Sequence, residues 1–323
     1  MANYSKDENQ KTMTDFLCSP ELTEGIHGEL RWAASLNIFM SITAFIGNAL
    51  FLVALNKMSS LHPPTKLLFR TLAITDLCVG IICQPLTVVA LLPEVKQYVH
   101  VCRYTSTVRF LVSYALCMVS LLTSTAINVD RLFALSLKIR YRQFVTLKRT
   151  YVIVALFWVI SIAFTVLGVF VNWISALYWT VVLLSCMAIS AFSYGRIFFV
   201  LRFNQNELRS PAFWQKLYRK TVYTVLYIQL ALVVCYLPYT IITLLVSRRS
   251  GHPNMWLLLV WRYLGTLVYF NSSLNPVLYC WKMREVKKAM KKIVQRICCS
   301  WCCNRENGGF VVNSERQTTS SSL

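Results

Sequence analysis

The sequence predicts an all-α membrane protein: a seven-transmembrane helix bundle followed by a short cytoplasmic interfacial helix. Three observations carry that prediction. Of the 323 residues, 56% are hydrophobic and only 14% charged, which is too apolar for a water-soluble chain of this length. The apolar residues gather into long runs, each able to cross a hydrocarbon core of roughly 30 Å. The net charge of +20 comes from groups that flank those runs and does not form one basic face, so a nucleic-acid partner is excluded.

In chain order, residues 1–30 form a polar, acidic extracellular tail with Asp7, Glu8, Asp15, Glu21, Glu24 and Glu29. No cleavable signal peptide is visible in it, so the first span is expected to act as its own insertion signal. Residues 31–297 form the membrane domain, and residues 298–323 a cytoplasmic tail. Spans are expected at about 32–55, 67–92, 108–137, 151–171, 174–200, 222–246 and 255–281. The stretch 151–200 holds a single ionised side chain, Arg196, and is about twice the length one helix needs. It must fold back on itself, and Asn172-Trp173 is the expected turn, leaving almost no loop.

Lys57 and Lys66, then residues 138–149, 202–220 and 282–305, are rich in Lys and Arg and fall on one side of a seven-span topology. The N-terminus is therefore expected outside and the C-terminus inside, at the plasma membrane. Arg248 and Arg249 fall on the outer side and run against this rule.

Six of the 12 cysteines, Cys78, Cys83, Cys117, Cys186, Cys235 and Cys280, lie in spans as small apolar residues. Cys18 and Cys102 lie outside, where the oxidising environment permits a disulfide. Cys298, Cys299, Cys302 and Cys303 follow a basic amphipathic stretch, 282–296, with Val286, Met290, Ile293 and Ile297 expected toward the bilayer and Lys287, Lys288, Lys291 and Lys292 toward water. No His or distant Cys pair completes a zinc site, and the juxtamembrane position favours acylation by palmitate.

Polar residues inside the spans form a set: Asn48, Asp76, Ser120, Asn271, Ser272 and Asn275. A carboxylate in a membrane interior needs partners, and oxygen ligands around it suit a hard cation such as sodium. The alternative is a satisfied polar seam that joins helices. Pro238 and Pro276 are expected to kink the sixth and seventh spans and free backbone carbonyls. Asp130 and Arg131 stand side by side near the end of the third span, either as a functional pair or as a snorkelling one.

On these residues the chain resembles the rhodopsin-like (class A) G-protein-coupled receptors over residues 32–297. The matching motifs are Gly47-Asn48, Leu72-Ala73-x-x-Asp76, Asp130-Arg131-Leu132, Trp158, Tyr194, Cys235-Tyr236-Leu237-Pro238 and Asn275-Pro276-Val277-Leu278-Tyr279, in the family's order. The resemblance implies a receptor that passes an extracellular ligand's signal to a heterotrimeric G protein. It makes Arg131 the cytoplasmic switch, paired with Asp130 at rest and turned toward Tyr194 and Tyr279 when active. Ala134, Ile139 and Tyr141 match the loop that touches the G protein. Asp76, Ser120, Asn271, Ser272 and Asn275, with Asn48 beside them, match a sodium and water pocket. Tyr236 stands where a Trp usually lies beneath the ligand, and Arg109, Ser113, Tyr114, Cys117, Tyr236, Tyr239, Arg262 and Tyr269 are the expected ligand pocket.

The departures are specific. Leu132 replaces the usual Tyr of the triplet, Lys138 a loop Pro, Cys186 the Pro of span five and Leu232 the Phe of span six. Ser106 stands where the family carries the Cys bridged to the second extracellular loop, so that bridge is absent. A missing bridge, a minimal second loop and a missing span-five Pro resemble the melanocortin receptors, as do residues 137–141 and 146–149, although those receptors usually carry Asp where Asn275 stands. Where many relatives have a restraining acid on span six, this chain has Tyr218 followed by Arg219 and Lys220, so ligand-free signalling is expected.

Ser113 replaces the Asp that pairs with amines and Tyr269 the Lys that holds retinal, which argues against those two ligand classes. A small molecule, a lipid or a peptide remains, and Arg109 and Arg262 suit an acidic head group, with interface snorkelling as the other reading. A transporter or channel using Asp76 and Arg131 is the alternative function, but no internal repeat or paired broken helices accompany them. No nucleophile, base and orienter can be assembled into an enzyme site.

Overall fold

A computed structural model describes residues 18, 26–58, 61–92, 98–137, 140–170, 172–203, 230–246, 255–282 and 284–307. The described elements are helical: α1 (His27–Lys57), α2 (Pro63–Cys78), a π-helical turn (Val79–Cys83), α3 (Gln84–Leu91), α4 (Val99–Leu137), α5 (Tyr141–Phe144), α6 (Leu147–Phe170), α7 (Asn172–Phe203), α8 (Leu230–Val246), α9 (Met255–Lys282) and α10 (Arg284–Asn307). Five segments, α1, Pro63–Leu91, His100–Ala134, α6 and Ala176–Phe199, are long and apolar enough to cross a membrane. The residues before α8, 204–229, lie outside the described set with Tyr218, Arg219 and Lys220, as do Arg248 and Arg249. The 28-residue α9 is diluted in apolarity by Asn271, Ser272, Ser273 and Asn275, all buried.

Burial ranks the spans. The apolar window of α4 is 67% buried and that of α6 only 22%, so α4 is the axis of the bundle and α6 faces lipid. What α6 does bury is a line of small residues, Thr150, Ser161, Thr165 and Gly168, which lets its backbone approach its neighbours closely.

Span two departs from a plain helix at Val79–Cys83. Pro85 explains this: it offers no N–H and its ring presses on the carbonyl one turn earlier, so the ladder widens into a π turn. The widened turn presents Gly80 to α1, where an added Cβ would lie 3.1 Å from Ala44 Cβ and 3.2 Å from Ser41 O. Ser41 Oγ donates to Gly80 O at 2.7 Å and closes the gap.

Gly47 and Asn48 have linked roles at the α1–α9 contact. An added Cβ on Gly47 would lie 3.0 Å from Pro276 Cγ. Pro276 has no N–H for the carbonyl of Ser272, four residues back, and Asn48 Nδ2 supplies that missing donor at 3.0 Å. A kinked seventh span thus keeps its backbone satisfied inside the membrane.

The third span begins at Val99, earlier than the expected 108, and its added outer turns carry Cys102. Cys18 and Cys102 are joined by a disulfide with Cα atoms 5.8 Å apart, which pins the N-terminal tail to the top of α4. Helix α6 ends at Phe170 and α7 begins at Asn172, so Asn172 and Trp173, expected as the turn, fall on the backbone of α7, and Val171 lies outside the described residues. The tail helix corrects one expectation. Val286 and Met290 belong with Phe51, Leu55 and Tyr279 in the inner apolar cluster, and Ile293 is buried too. This edge of α10 docks on the bundle instead of on lipid, because α1 and α9 leave an apolar shelf there.

Candidate functional site

Three polar stations run down the bundle. At mid-depth, Asp76 is completely buried and accepts Ser120 Oγ and Ser272 Oγ on Oδ1, each at 2.9 Å, and Asn275 Nδ2 on Oδ2 at 2.6 Å. All three donors are neutral, so the hydrogen bonds satisfy the oxygens without compensating the charge. Asn48 Oδ1 nearby is buried without a hydrogen-bond partner. A carboxylate, two hydroxyls and the orphaned amide oxygen of Asn48 are oxygen ligands of the kind a hard cation takes. Of the expected set, Asn271 is turned outward, donating to Tyr236 OH at 3.2 Å.

At the inner end, the expected ion pair between Asp130 and Arg131 is not formed among the described residues. Consecutive residues of a helix point about 100° apart, and each has found its own partner. Asp130 Oδ1 accepts Tyr141 OH at 2.7 Å and Oδ2 accepts Thr65 Oγ1 at 2.8 Å, while Thr65 Oγ1 and Tyr141 OH stand 3.1 Å apart. The Arg131 guanidinium lies over the Phe69 ring, 5.5 Å from its centroid, and lines a small inner cavity with Asn128, Asn275 and Tyr279. Tyr279 packs against Phe51 and Phe69 with centroids 5.0 Å away, and Tyr194 OH donates to Asn128 Oδ1.

Tyr141, expected at the G-protein surface, is buried instead. Its phenol is pushed up to about 12 by burial first, with the Asp130 carboxylate adding to the rise and the Thr65 hydroxyl opposing it. It is thus a firm donor at any physiological pH. Ala134 is exposed on the inner face, whereas Ile139 lies outside the described residues. Cys298, Cys299, Cys302 and Cys303 fall on the backbone of α10, but the placement of their side chains lies outside the described set.

At the outer end, a cavity of about 660 Å³, counted to its open mouth, is lined from α3, α4, α7, α8 and α9. Arg109, Ser113, Tyr114, Cys117, Tyr239, Arg262 and Tyr269 all reach it. Tyr236 does not: it lies beneath, 1% exposed, with its ring 5.9 Å from that of Trp179. Ser106, on the lining, stands with its Oγ 4.0 Å from Cys18 Sγ. The family's bridging position is thus filled by a serine lying against a different disulfide.

Sequence reasoning missed three participants. Trp179 and Trp261 line the cavity, and an inward-facing indole on an apolar span gives no periodic signal that separates it from lipid-facing ones. Thr65 was missed because a lone Thr at a helix start is ordinarily a turn residue.

The geometry is that of a helical bundle with an outer cavity open to one face, a polar core, and an arginine lining a small cavity toward the other face. Residues 47–177 and 171–279 match the family model described as 7 transmembrane receptor (rhodopsin family). The chain belongs to the rhodopsin family of seven-transmembrane receptors. It is 25% identical over 288 residues to adenosine receptor A3 of Canis lupus familiaris, covering 79% of this chain and 88% of that one. It is 25% identical over 299 residues to trace amine-associated receptor 9 of Mus musculus, covering 79% and 82%. Melanocortin receptor 4 of Danio rerio is 23% identical over 298 residues, covering 86% and 87%. The protein is a multi-pass membrane receptor of the G-protein-coupled class, and the transporter reading has nothing in its favour.

Proposed function

We propose that the receptor sits in the plasma membrane with its N-terminus outside, takes its ligand in the outer cavity, and thereby shifts a conformational equilibrium that exposes the Arg131 station to a heterotrimeric G protein. The observation that carries this reading is the stacking of three stations through one bundle: a lined outer cavity, the caged Asp76, and an Arg131 that faces an inner cavity. Sodium at Asp76 stabilises one of the two conformations. Orientation follows the basic loops, which the positive-inside rule places in the cytoplasm. The disulfide of Cys18 and Cys102 agrees with an oxidising outer face.

Guanine-nucleotide exchange on a panel of purified G proteins, with the receptor in lipid discs, tests the reading. Acceleration of at least one G protein that is lost in Arg131→Ala at equal receptor folding is the expected result. Equal exchange with and without receptor across the whole panel contradicts it.

A further inference from the structure

We propose that Asn128 is the positioning residue of the inner station: its side-chain amide holds Tyr194 one helical turn away from Arg131, and release of that hold gives the phenol to the guanidinium. This rests on the reading above and adds to it the part that keeps the switch at rest. Asn128 on α4 is buried, as are Ser190 and Tyr194 on α7, and it belongs to none of the motifs that carry the family resemblance. Its Nδ2 donates to Ser190 Oγ at 3.2 Å, and its Oδ1 accepts the Tyr194 hydroxyl. Ser190 and Tyr194 stand four residues apart on one face of α7, so a single planar amide spans one turn of that helix. Asn can serve both because its short side chain carries a donor and an acceptor, whereas an ionised Asp has no donor and Leu has neither.

The alternative partner is near. Arg131 lies three residues beyond Asn128 on α4, about 4.5 Å further toward the inner end, and the two line the same small cavity. The guanidinium rests over Phe69 and meets no hydrogen-bond acceptor among the described residues. A phenol oxygen accepts as well as donates, so Tyr194, once released, supplies that guanidinium with an acceptor in a partly buried space where an unmet donor is costly. The two positions of the phenol then differ by one exchanged hydrogen bond. That keeps them close enough in free energy for a ligand to choose between them.

The test is a mutant cycle on the full-length receptor in lipid discs. Asn128→Leu removes both polar groups at similar volume, and Tyr194→Phe removes the hydroxyl alone. Without G protein, each should lower the melting temperature, and the double variant should fall no further than the lower of the two, because both delete the same bond. With a G protein from the exchange panel, Asn128→Leu should raise ligand-free exchange about fivefold, the effect of one buried hydrogen bond. Adding Tyr194→Phe should cancel that rise, since the ring then has no oxygen to offer Arg131, whereas a rise caused by loosened packing would survive the second change. Ser190→Ala removes only the acceptor that orients Asn128; it should give a smaller rise with the same dependence on Tyr194, and it decides the matter if Asn128→Leu does not fold. Additive melting shifts, unchanged exchange in both Asn128→Leu and Ser190→Ala, or a rise that persists with Tyr194→Phe would overturn the proposal. Absence of exchange by wild type and every variant would fail the reading above, while additive melting shifts with wild-type exchange intact fail this proposal alone.

Discussion

The indole Nε1–H of Trp179 on α7 donates to Thr240 Oγ1 on α8 at 3.1 Å, and the Thr240 hydroxyl in turn donates to the Tyr236 carbonyl at 2.9 Å. Both side chains are buried, and Trp179 lines the outer cavity. In this chain Cys186 and Leu232 stand where the family carries the span-five Pro and span-six Phe, and the hydrogen bond joins α7 to α8 beside the ring contacts of Trp179 with Tyr236 and Tyr239. A ligand that displaces the indole breaks it.

Trp179→Phe removes the donor and keeps a ring, and Thr240→Val removes the acceptor at equal volume. A buried hydrogen bond contributes about 1 kcal/mol net, so each variant should raise ligand-free nucleotide exchange roughly fivefold. The double variant should go no further, since both changes delete the same contact. Additive effects, or an unchanged rate in both single variants at equal surface expression, would show that the bond does not restrain α8.

Span count and the polar residues of the mid-depth station were legible because membrane helices must be long and apolar, and any charge within them is costly. Asp76 announced itself in that way. The partners of Asp130 were not legible, because Thr65 lies on α2 and Tyr141 on the short α5, and only tertiary packing brings their hydroxyls to one carboxylate. The π turn at Val79–Cys83 was hidden for another reason: Pro85 signals a kink or a bulge equally well. The docking of Val286 against Phe51 was misassigned to lipid, since an amphipathic pattern gives the same period whichever apolar surface covers it.

Sodium should stabilise the receptor through Asp76. Melting in sodium chloride against the chloride of a large organic cation is expected to show a higher melting temperature with sodium, following the linkage between ion binding and stability. Asp76→Asn should abolish the difference, and Asn48→Ala should reduce it. Equal sodium shifts in wild type and Asp76→Asn would exclude this site.

The tail should be acylated on at least one of Cys298, Cys299, Cys302 and Cys303. Helix α10 holds Val286 and Ile293 against the bundle while Lys287, Lys288, Lys291 and Lys292 are exposed, so its apolar edge is not free to anchor it. One basic patch gives about 1 kcal/mol per charge at an anionic surface, and an acyl chain supplies the second signal that stable attachment needs. Hydroxylamine-sensitive acyl exchange should label the wild type and miss a variant with all four changed to serine. An unlabelled wild type would refute the expectation.

The last prediction concerns the seat of Asp130. Thr65 and Tyr141 donate to its two oxygens at 2.8 and 2.7 Å, and hydrogen bonds to a charged acceptor contribute about 1.5–3 kcal/mol each. They tie the inner end of α4 to α2 and to the turn α5, while Arg131 points elsewhere, over Phe69. The restraint is thus on the helix that carries the switch and not on the guanidinium itself. Tyr141→Phe and Asp130→Asn should each raise ligand-free exchange, the second more because it weakens both bonds, whereas Arg131→Ala should lose coupling and keep surface expression. A pH signature separates the phenol from a mere packing residue. Burial and Asp130 raise the Tyr141 phenol to about 12 from its ordinary 10, so the folded state holds that proton more tightly than the unfolded one. Its contribution to stability is complete below pH 10 and is lost as pH rises toward 12. Melting temperature should therefore fall less steeply above pH 10 in Tyr141→Phe than in wild type. Parallel curves, together with unchanged exchange in both seat variants, would remove this seat from the switch.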